Sequence, residues 1–205
     1  MKAIILAGGR GKRLRPITDK IPKPLIPINN KPLIERTIKY LKKYGITEII
    51  ISSGYKSNLI EKFLKERENF GCKIIFSTEK TPLGTGGAIK KALKHVDEES
   101  FLVLNGDIVT NIDLKKIIKK PNTIAANELK TKFGTMNIKN NKILKFNEKK
   151  DVTDVWMNPG IYHLSKDVKK LIPKKGSLEG IVFPKMARSK TLETVKFKNV
   201  LWFSI

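Results

Sequence analysis

Two neighbouring stretches of the chain carry residue types suited to handling phosphate groups. The first is Gly8-Gly9-Arg10-Gly11, with Lys12, Arg13 and Arg15 after it, set directly behind the apolar run Ala3–Ala7. Glycines after a strand let the backbone come close to a ligand and leave N–H groups free to point at phosphate oxygens. Arg13 and Arg15 add forked donors that match a phosphate, leaving Arg10 and Lys12 as rim charges. The second is Ile21-Pro22-Lys23-Pro24-Leu25-Ile26-Pro27. Proline lacks an N–H and stiffens the chain, so Lys23 is held as a fixed cation, where an unclamped lysine would be a solvated loop residue. Neither standard phosphate loop is present. The Walker pattern would need glycine at Leu6 and Ser or Thr at Arg13, and the dinucleotide pattern read from Gly9 meets Leu14 where its last glycine belongs.

The elements that must position these residues alternate in the first half. Strand 2–7 is followed by the glycine loop. Asn30-Lys31-Pro32 reads as a helix start with Asn30 as N-cap, and Leu33, Ile34, Ile38 and Leu41 share one helical face before Gly45. A buried strand (Thr47–Ser53), a helix near 57–68, a strand (Lys73–Phe76), a turn at Thr81–Gly84, a helix to Lys94 and a strand (Phe101–Leu104) follow, ending in Asn105-Gly106-Asp107. Four strand–helix repeats predict an α/β fold with a doubly wound, mostly parallel sheet, whose ligand crevice lies at the carboxyl ends of the strands. The second half, with strands expected at Thr123–Ala126, Thr135–Ile138, Ile143–Phe146, Trp156–Tyr162 and Val195–Phe203 and helices near 166–172 and 179–187, reads as an antiparallel extension of the same sheet. Asn140-Asn141 is a turn between two of these strands. One domain spanning 1–205 is expected.

Composition narrows the classes. Lys and Arg number 42 against 19 Asp and Glu, a net charge of +23. That excess attracts anions of any kind, but the lysines are spread as short pairs on polar helix faces, with no basic tail or aromatic-studded strand, so no specific nucleic-acid partner is expected. Cys72 is the single cysteine, which excludes an internal disulfide or a thiolate zinc site and suits a cytoplasmic protein. The first apolar run is too short for a signal peptide, and no stretch approaches the roughly 20 apolar residues of a membrane span, so no membrane partner is expected.

The stretch from Leu6 to Thr18, then Pro22-Lys-Pro-Leu-Ile-Pro27 and Lys31-Pro-Leu-Ile34, resembles the signature of the sugar-phosphate nucleotidyltransferases, the NDP-sugar pyrophosphorylases. Further matches are Pro82-Leu-Gly-Thr-Gly-Gly-Ala88, Asn105-Gly-Asp107, Phe133-Gly134, Phe146-Asn-Glu-Lys149, Asn158-Pro-Gly-Ile-Tyr162, and Ser177-Leu-Glu179 with Phe183-Pro184. The length is similar to compact members, especially the heptose-1-phosphate and mannose-1-phosphate guanylyltransferase-like group. The resemblance implies condensation of an NTP with a sugar 1-phosphate to give NDP-sugar and pyrophosphate. It implies that Arg13 and Lys23 contact the nucleotide phosphates and that Asp107 holds Mg²⁺. Leu6, Ala7, Gly8, Gly9 and Gly11 would form one side of the nucleotide site, and Glu79, Pro82, Gly84, Thr85 and Gly86 the other. The nucleotide half is then about 1–110. In the sugar-phosphate half, about 111–205, Glu148 and Lys149 would hold the sugar phosphate, with Gly134, Asn158 and Gly160, and Asn105 from the first half, lining its pocket. Glu179 is also a plain helix N-terminal carboxylate.

Relatives that use thymidine nucleotides hold a glutamine at the place of Glu79. A carboxylate only accepts hydrogen bonds, which suits the paired N1–H and 2-amino donors of guanine and points to GTP. One departure stands out: Ser204 sits where the family carries a second metal-binding aspartate. A neutral hydroxyl is the poorer Mg²⁺ ligand. This keeps open a binding relative that regulates without turnover, alongside enzymes acting on a phosphorylated alcohol such as choline phosphate.

Overall fold

The computed structural model describes residues 1–129, 133–148 and 155–205. In chain order its main elements are β1 (Ala3–Ala7), α1 (Ile17–Lys20), β2 (Pro27–Ile28), β3 (Lys31–Pro32), α2 (Leu33–Lys43), β4 (Glu48–Ser53), α3 (Ser57–Lys65), β5 (Lys73–Thr78), α4 (Gly84–Ala92), β6 (Ser100–Asn105), β7 (Ile108–Thr110) and α5 (Leu114–Ile117). Then follow β8 (Thr123–Glu128), β9 (Thr135–Lys139), β10 (Lys142–Asn147), β11 (Trp156–Met157), β12 (Ile161–Ser165), α6 (Phe183–Arg188), β13 (Glu193–Phe197) and β14 (Trp202–Ser204).

The aliphatic runs of the first half become central strands because both faces of the sheet are covered. Strands β5, β4, β1 and β6 lie side by side and parallel, with β12 antiparallel beside β6 and β8 beyond it. Ile5, Ile49 and Ile51 pack under Ile34, Ile38 and Leu41 of α2 and Ile60 and Leu64 of α3. On the other face Ile4, Ile50 and Val103 meet Ile89 of α4 and Phe183 and Met186 of α6. The chain winds from β1 outward to β4 and β5, then crosses back to place β6 on the far side of β1. The order therefore reverses between β1 and β6, where a crevice opens at the strand ends.

Five local expectations are corrected. Asn30 does not cap a helix: Asn29 and Asn30 both take positive φ (46° and 61°) in a tight hairpin turn joining β2 to β3. Two consecutive left-handed residues suit that turn, and α2 starts only at Leu33, after Pro32. The pair β9 and β10 hydrogen-bond to each other through the Asn140-Asn141 turn and form a separate two-stranded sheet, so the extension expected of 135–146 leaves the main sheet. The expected strand Trp156–Tyr162 is broken at 158–160, because the Asn158 side chain takes the Gly160 N–H (2.9 Å) and folds the backbone there. Val195–Phe203 also splits, β13 running parallel to β8 while β14 pairs with β7. The helices expected near 166–172 and 179–187 are a 3-10 turn (Lys166–Lys170) and a π-turn (Leu178–Val182) leading into α6.

The start of α4 shows what its glycines are for. Gly84 has φ +74°, and a Cβ there would sit 2.5 Å from the Gly176 carbonyl oxygen. Gly84→Ala is expected to cost about 2 kcal/mol or more, from a left-handed alanine plus a backbone clash. Gly9 has no neighbour within 4 Å of such a Cβ, so Gly9→Ala is expected to change stability by less than about 0.5 kcal/mol. Denaturant midpoints at unchanged slope check both, and equal midpoints would refute this account of Gly84.

Candidate active site

A cleft of about 500 Å³ opens where β1 and β6 end. Its floor and one wall are the glycine loop, and its other wall is Glu79, Pro82, Gly84, Thr85 and Ala88. The loop turns sharply at Gly11, where Leu14 N–H returns to the Gly11 carbonyl (2.9 Å) and the buried Thr18 hydroxyl donates to the same oxygen (3.0 Å). Its cations divide by what they already hold. Arg15 is tied to Asp19 (3.1 Å) and is not in the lining. Arg10, Lys12 and Arg13 do line the cleft. Arg13 is exposed and makes no hydrogen bond or ion pair with a described residue, so its fork is available to an anion.

The proline clamp places Lys23 as the sequence suggests. Pro22 and Lys23 open a 3-10 turn, closed by Leu25 N–H on the Pro22 carbonyl (2.9 Å), and Pro24 is buried. The Lys23 ammonium is thereby aimed at Asp107, Nζ to Oδ2 2.7 Å, across 84 residues of sequence. Asp107 reaches the cleft because Gly106 passes directly over β1: its N–H donates to the Leu6 carbonyl (2.9 Å), and a Cβ would lie 2.5 Å from that oxygen. Asn105, one residue earlier, donates its N–H to the Gly160 carbonyl (2.9 Å), while its side-chain oxygen is buried and accepts from no described residue.

Glu79 has one committed oxygen and one that faces the loop. Oε2 accepts the Leu83 N–H (3.0 Å), whereas Oε1 lies against Gly8, 2.7 Å from where a Cβ would be. Gly86, read as nucleotide-binding, is behind the wall: its N–H donates to the Gly176 carbonyl (2.9 Å), and it is not among the lining residues. On the expected sugar side, Gly160 lies against Asn105, and Asn158 holds the Gly160 N–H. Gly134 and Glu148 meet on the β9–β10 hairpin, where a Cβ on Gly134 would lie 3.0 Å from the carboxylate, but neither lines the cleft. Lys149 lies outside the described residues. Among those residues no group of three or more acidic, histidine or cysteine side chains could cage a metal.

Two residues gain weight only from the structure. Ser52 is buried in the cleft floor because β4 pairs with β1 in the register Leu6 to Ser52, a placement no local motif reveals. Glu179 is more than a helix-start carboxylate. It accepts hydroxyl hydrogen bonds from Thr85 (2.6 Å), Ser177 (2.9 Å) and Tyr162 (3.3 Å), and Tyr162 in turn accepts from Asn158 (2.9 Å). It therefore ties the α4 wall to the 158–160 bend. Burial, reinforced by the Glu179 charge, pushes the Tyr162 hydroxyl well above its ordinary pKa, so it stays a donor.

A basic glycine loop facing a lysine–aspartate pair at a parallel-sheet switch point offers charges that could hold a polyphosphate. The chain matches the Nucleotidyl transferase family over residues 2–203 and belongs to it. It is 44% identical over 173 residues, 82% of this chain and 77% of the relative, to D-glycero-alpha-D-manno-heptose 1-phosphate guanylyltransferase of Campylobacter jejuni. Among solved structures, HddC from Yersinia pseudotuberculosis superposes with a TM-score of 0.78 at 32% identity, covering 100% of this chain and 93% of that one. The same protein complexed with GMP-PN gives 0.73 at 30%, covering 99% and 92%. The chain is a nucleotidyltransferase with a mixed, mostly parallel α/β sheet.

Lys23→Ala and Asp107→Ala are each expected to lower turnover by about 10²-fold or more, because Lys23 would offset phosphate charge directly and Asp107 would do so through the cation it holds. Circular dichroism is expected to show both folded, and pyrophosphate release measures the loss. Near-wild-type rates in both variants would break the assignment.

Proposed function

We propose that the chain condenses GTP with a sugar 1-phosphate to give a GDP-sugar and pyrophosphate. The observation that carries this is the Lys23–Asp107 pair, 2.7 Å apart, facing a glycine loop whose Arg13 is free. Similarity to a heptose 1-phosphate guanylyltransferase supports the substrate class. A phosphate oxygen of the sugar 1-phosphate attacks the α-phosphorus of GTP in line. The new P–O bond forms as the bond from the α-phosphorus to the bridging oxygen breaks, and pyrophosphate leaves with that electron pair. The chemistry asks for placed charge and needs no protein nucleophile.

Each residue then has a task. Arg13 and Lys23 hold the nucleotide phosphates, and the backbone from Leu6 to Gly11 lies along them. Asn105, Asn158 and Gly160 border the acceptor side, and the family resemblance assigns the sugar phosphate to Glu148 and Lys149 of the 111–205 half. One carboxylate fits a metal that arrives with its nucleotide: Mg²⁺ keeps water and phosphate ligands and takes one or two carboxylates from protein. Bound at Asp107 it would supply charge neutralisation of the phosphates, beside the Lys23 ammonium. The single buried cysteine fits a reducing cytoplasm.

Glu79 selects the base. Its free oxygen can accept from guanine while its partner stays on Leu83 N–H. Glu79→Gln keeps an oxygen for Leu83 but presents an amide donor to the base. The GTP-over-UTP ratio of kcat/KM is expected to fall about tenfold or more, the scale of a lost buried hydrogen bond to a charged group. A matrix of four NTPs against a panel of sugar 1-phosphates and choline phosphate, read by pyrophosphate release, tests the whole reading. UTP or dTTP outperforming GTP overturns the base choice. Tight GTP binding with no release anywhere identifies a regulatory binder instead.

A further inference from the structure

We infer that Tyr55, in the turn after β4 and outside every phosphate-binding motif, is the positioning residue that sets the glycine loop for nucleotide. Three contacts span the loop. The Tyr55 N–H donates to the Gly8 carbonyl at its start (3.4 Å), the Arg10 guanidinium lies over the ring in its middle (5.9 Å), and the phenol donates to the Thr18 carbonyl at its end (3.0 Å). The next residue completes the hold. Lys56 takes a left-handed conformation (φ 52°), and its ammonium donates to the Asp19 and Lys20 carbonyls (2.5 and 2.9 Å). With Thr18 bonded back to Gly11 (3.0 Å), the loop is a closed hoop fastened to the end of a buried strand.

The chemistry of the fastener matters. A glycine-rich loop carrying several like charges resists ordering, and ordering it at the moment of binding costs affinity. Tyr55 orders it beforehand. An aromatic face holds Arg10 by cation–π attraction without a carboxylate that would compete with phosphate for the guanidinium. Arg10 is therefore fixed and still available, and it lines the cleft. This rests on the proposal that the loop takes the nucleotide phosphates.

The test uses Tyr55→Leu and Tyr55→Phe in the full chain, with two readouts. The first is the pair of Michaelis constants, for GTP and for a sugar 1-phosphate that the wild type uses. The second is limited trypsin cleavage after Arg10, Lys12 and Arg13 without nucleotide, followed by mass spectrometry. Tyr55→Leu is expected to raise the GTP KM about tenfold and to speed loop cleavage about fivefold, because ring and phenol contacts are both lost. The KM for the sugar phosphate is expected to stay within about twofold, since that side touches none of these contacts. Tyr55→Phe keeps the ring and is expected to fall between, near threefold in GTP KM. Wild-type GTP KM and cleavage rates in Tyr55→Leu overturn the inference. So does an equal rise in both KM values with a fallen melting temperature, which marks general destabilisation. If the wild type turns over no GTP, the functional proposal fails by itself, and the cleavage comparison still decides whether Tyr55 sets the loop.

Discussion

The arrangement of the site depends on β1 lying directly beside β6. Parallel pairing in the register Leu6 to Asn105 brings the end of the first strand against the end of a strand 99 residues later. Gly106 then crosses over β1 onto the Leu6 carbonyl, and Asp107 emerges opposite the glycine loop. Without this pairing the cations of the loop and the carboxylate would belong to unrelated parts of the surface. The pairing is secured by hydrophobic burial on both faces, since Ile4, Ile5, Val103 and Leu104 are all 1% exposed or less. Burial far from any ligand thus fixes the geometry of charges that face the solvent.

The wall opposite the loop is stitched from both halves of the chain. Gly176, Leu178 and Glu179 come from the second half, yet they bond the first turn of α4. The Gly176 carbonyl occupies the Gly86 and Gly87 N–H groups. Those two N–H groups of the helix start are held by protein and are closed to an anion. The cations that remain open to an anion lie on the loop after β1, where Arg13 is exposed and pairs with no described residue. Glycines in the two motifs serve different ends: close packing of backbone on backbone at 84–87, and room along an open loop at Gly9.

Much of this was legible in the sequence, for identifiable reasons. The doubly wound half was readable because buried parallel strands leave continuous aliphatic runs and amphipathic helices leave a 3.6 period. Lys23 was readable because prolines on both sides state their geometry directly. The second half was harder. Asn158-Pro159-Gly160 breaks one expected strand through the Asn158 side chain and a left-handed Gly160 (φ 80°), and the hydrophobic pattern alone does not register that. At Asn29-Asn30 the same residue type that caps helices made a hairpin turn, because asparagine tolerates the two left-handed conformations that joining β2 to β3 requires. The importance of Glu179, Ser52 and Tyr55 lies in contacts between distant segments, which no local spacing encodes.

The last strand adds a constraint of a different kind. β14 pairs with β7 immediately after Asp107, and the Trp202 indole donates to the Pro159 carbonyl (2.9 Å) beside the 158–160 bend. The two flanks of the crevice are therefore fastened by a segment far downstream of Asp107. A growing chain can complete β1, β4, β5 and β6 and pair them while these flanks are still loose. Order at the crevice thus reports that β14 has docked, and not only that the central sheet has formed.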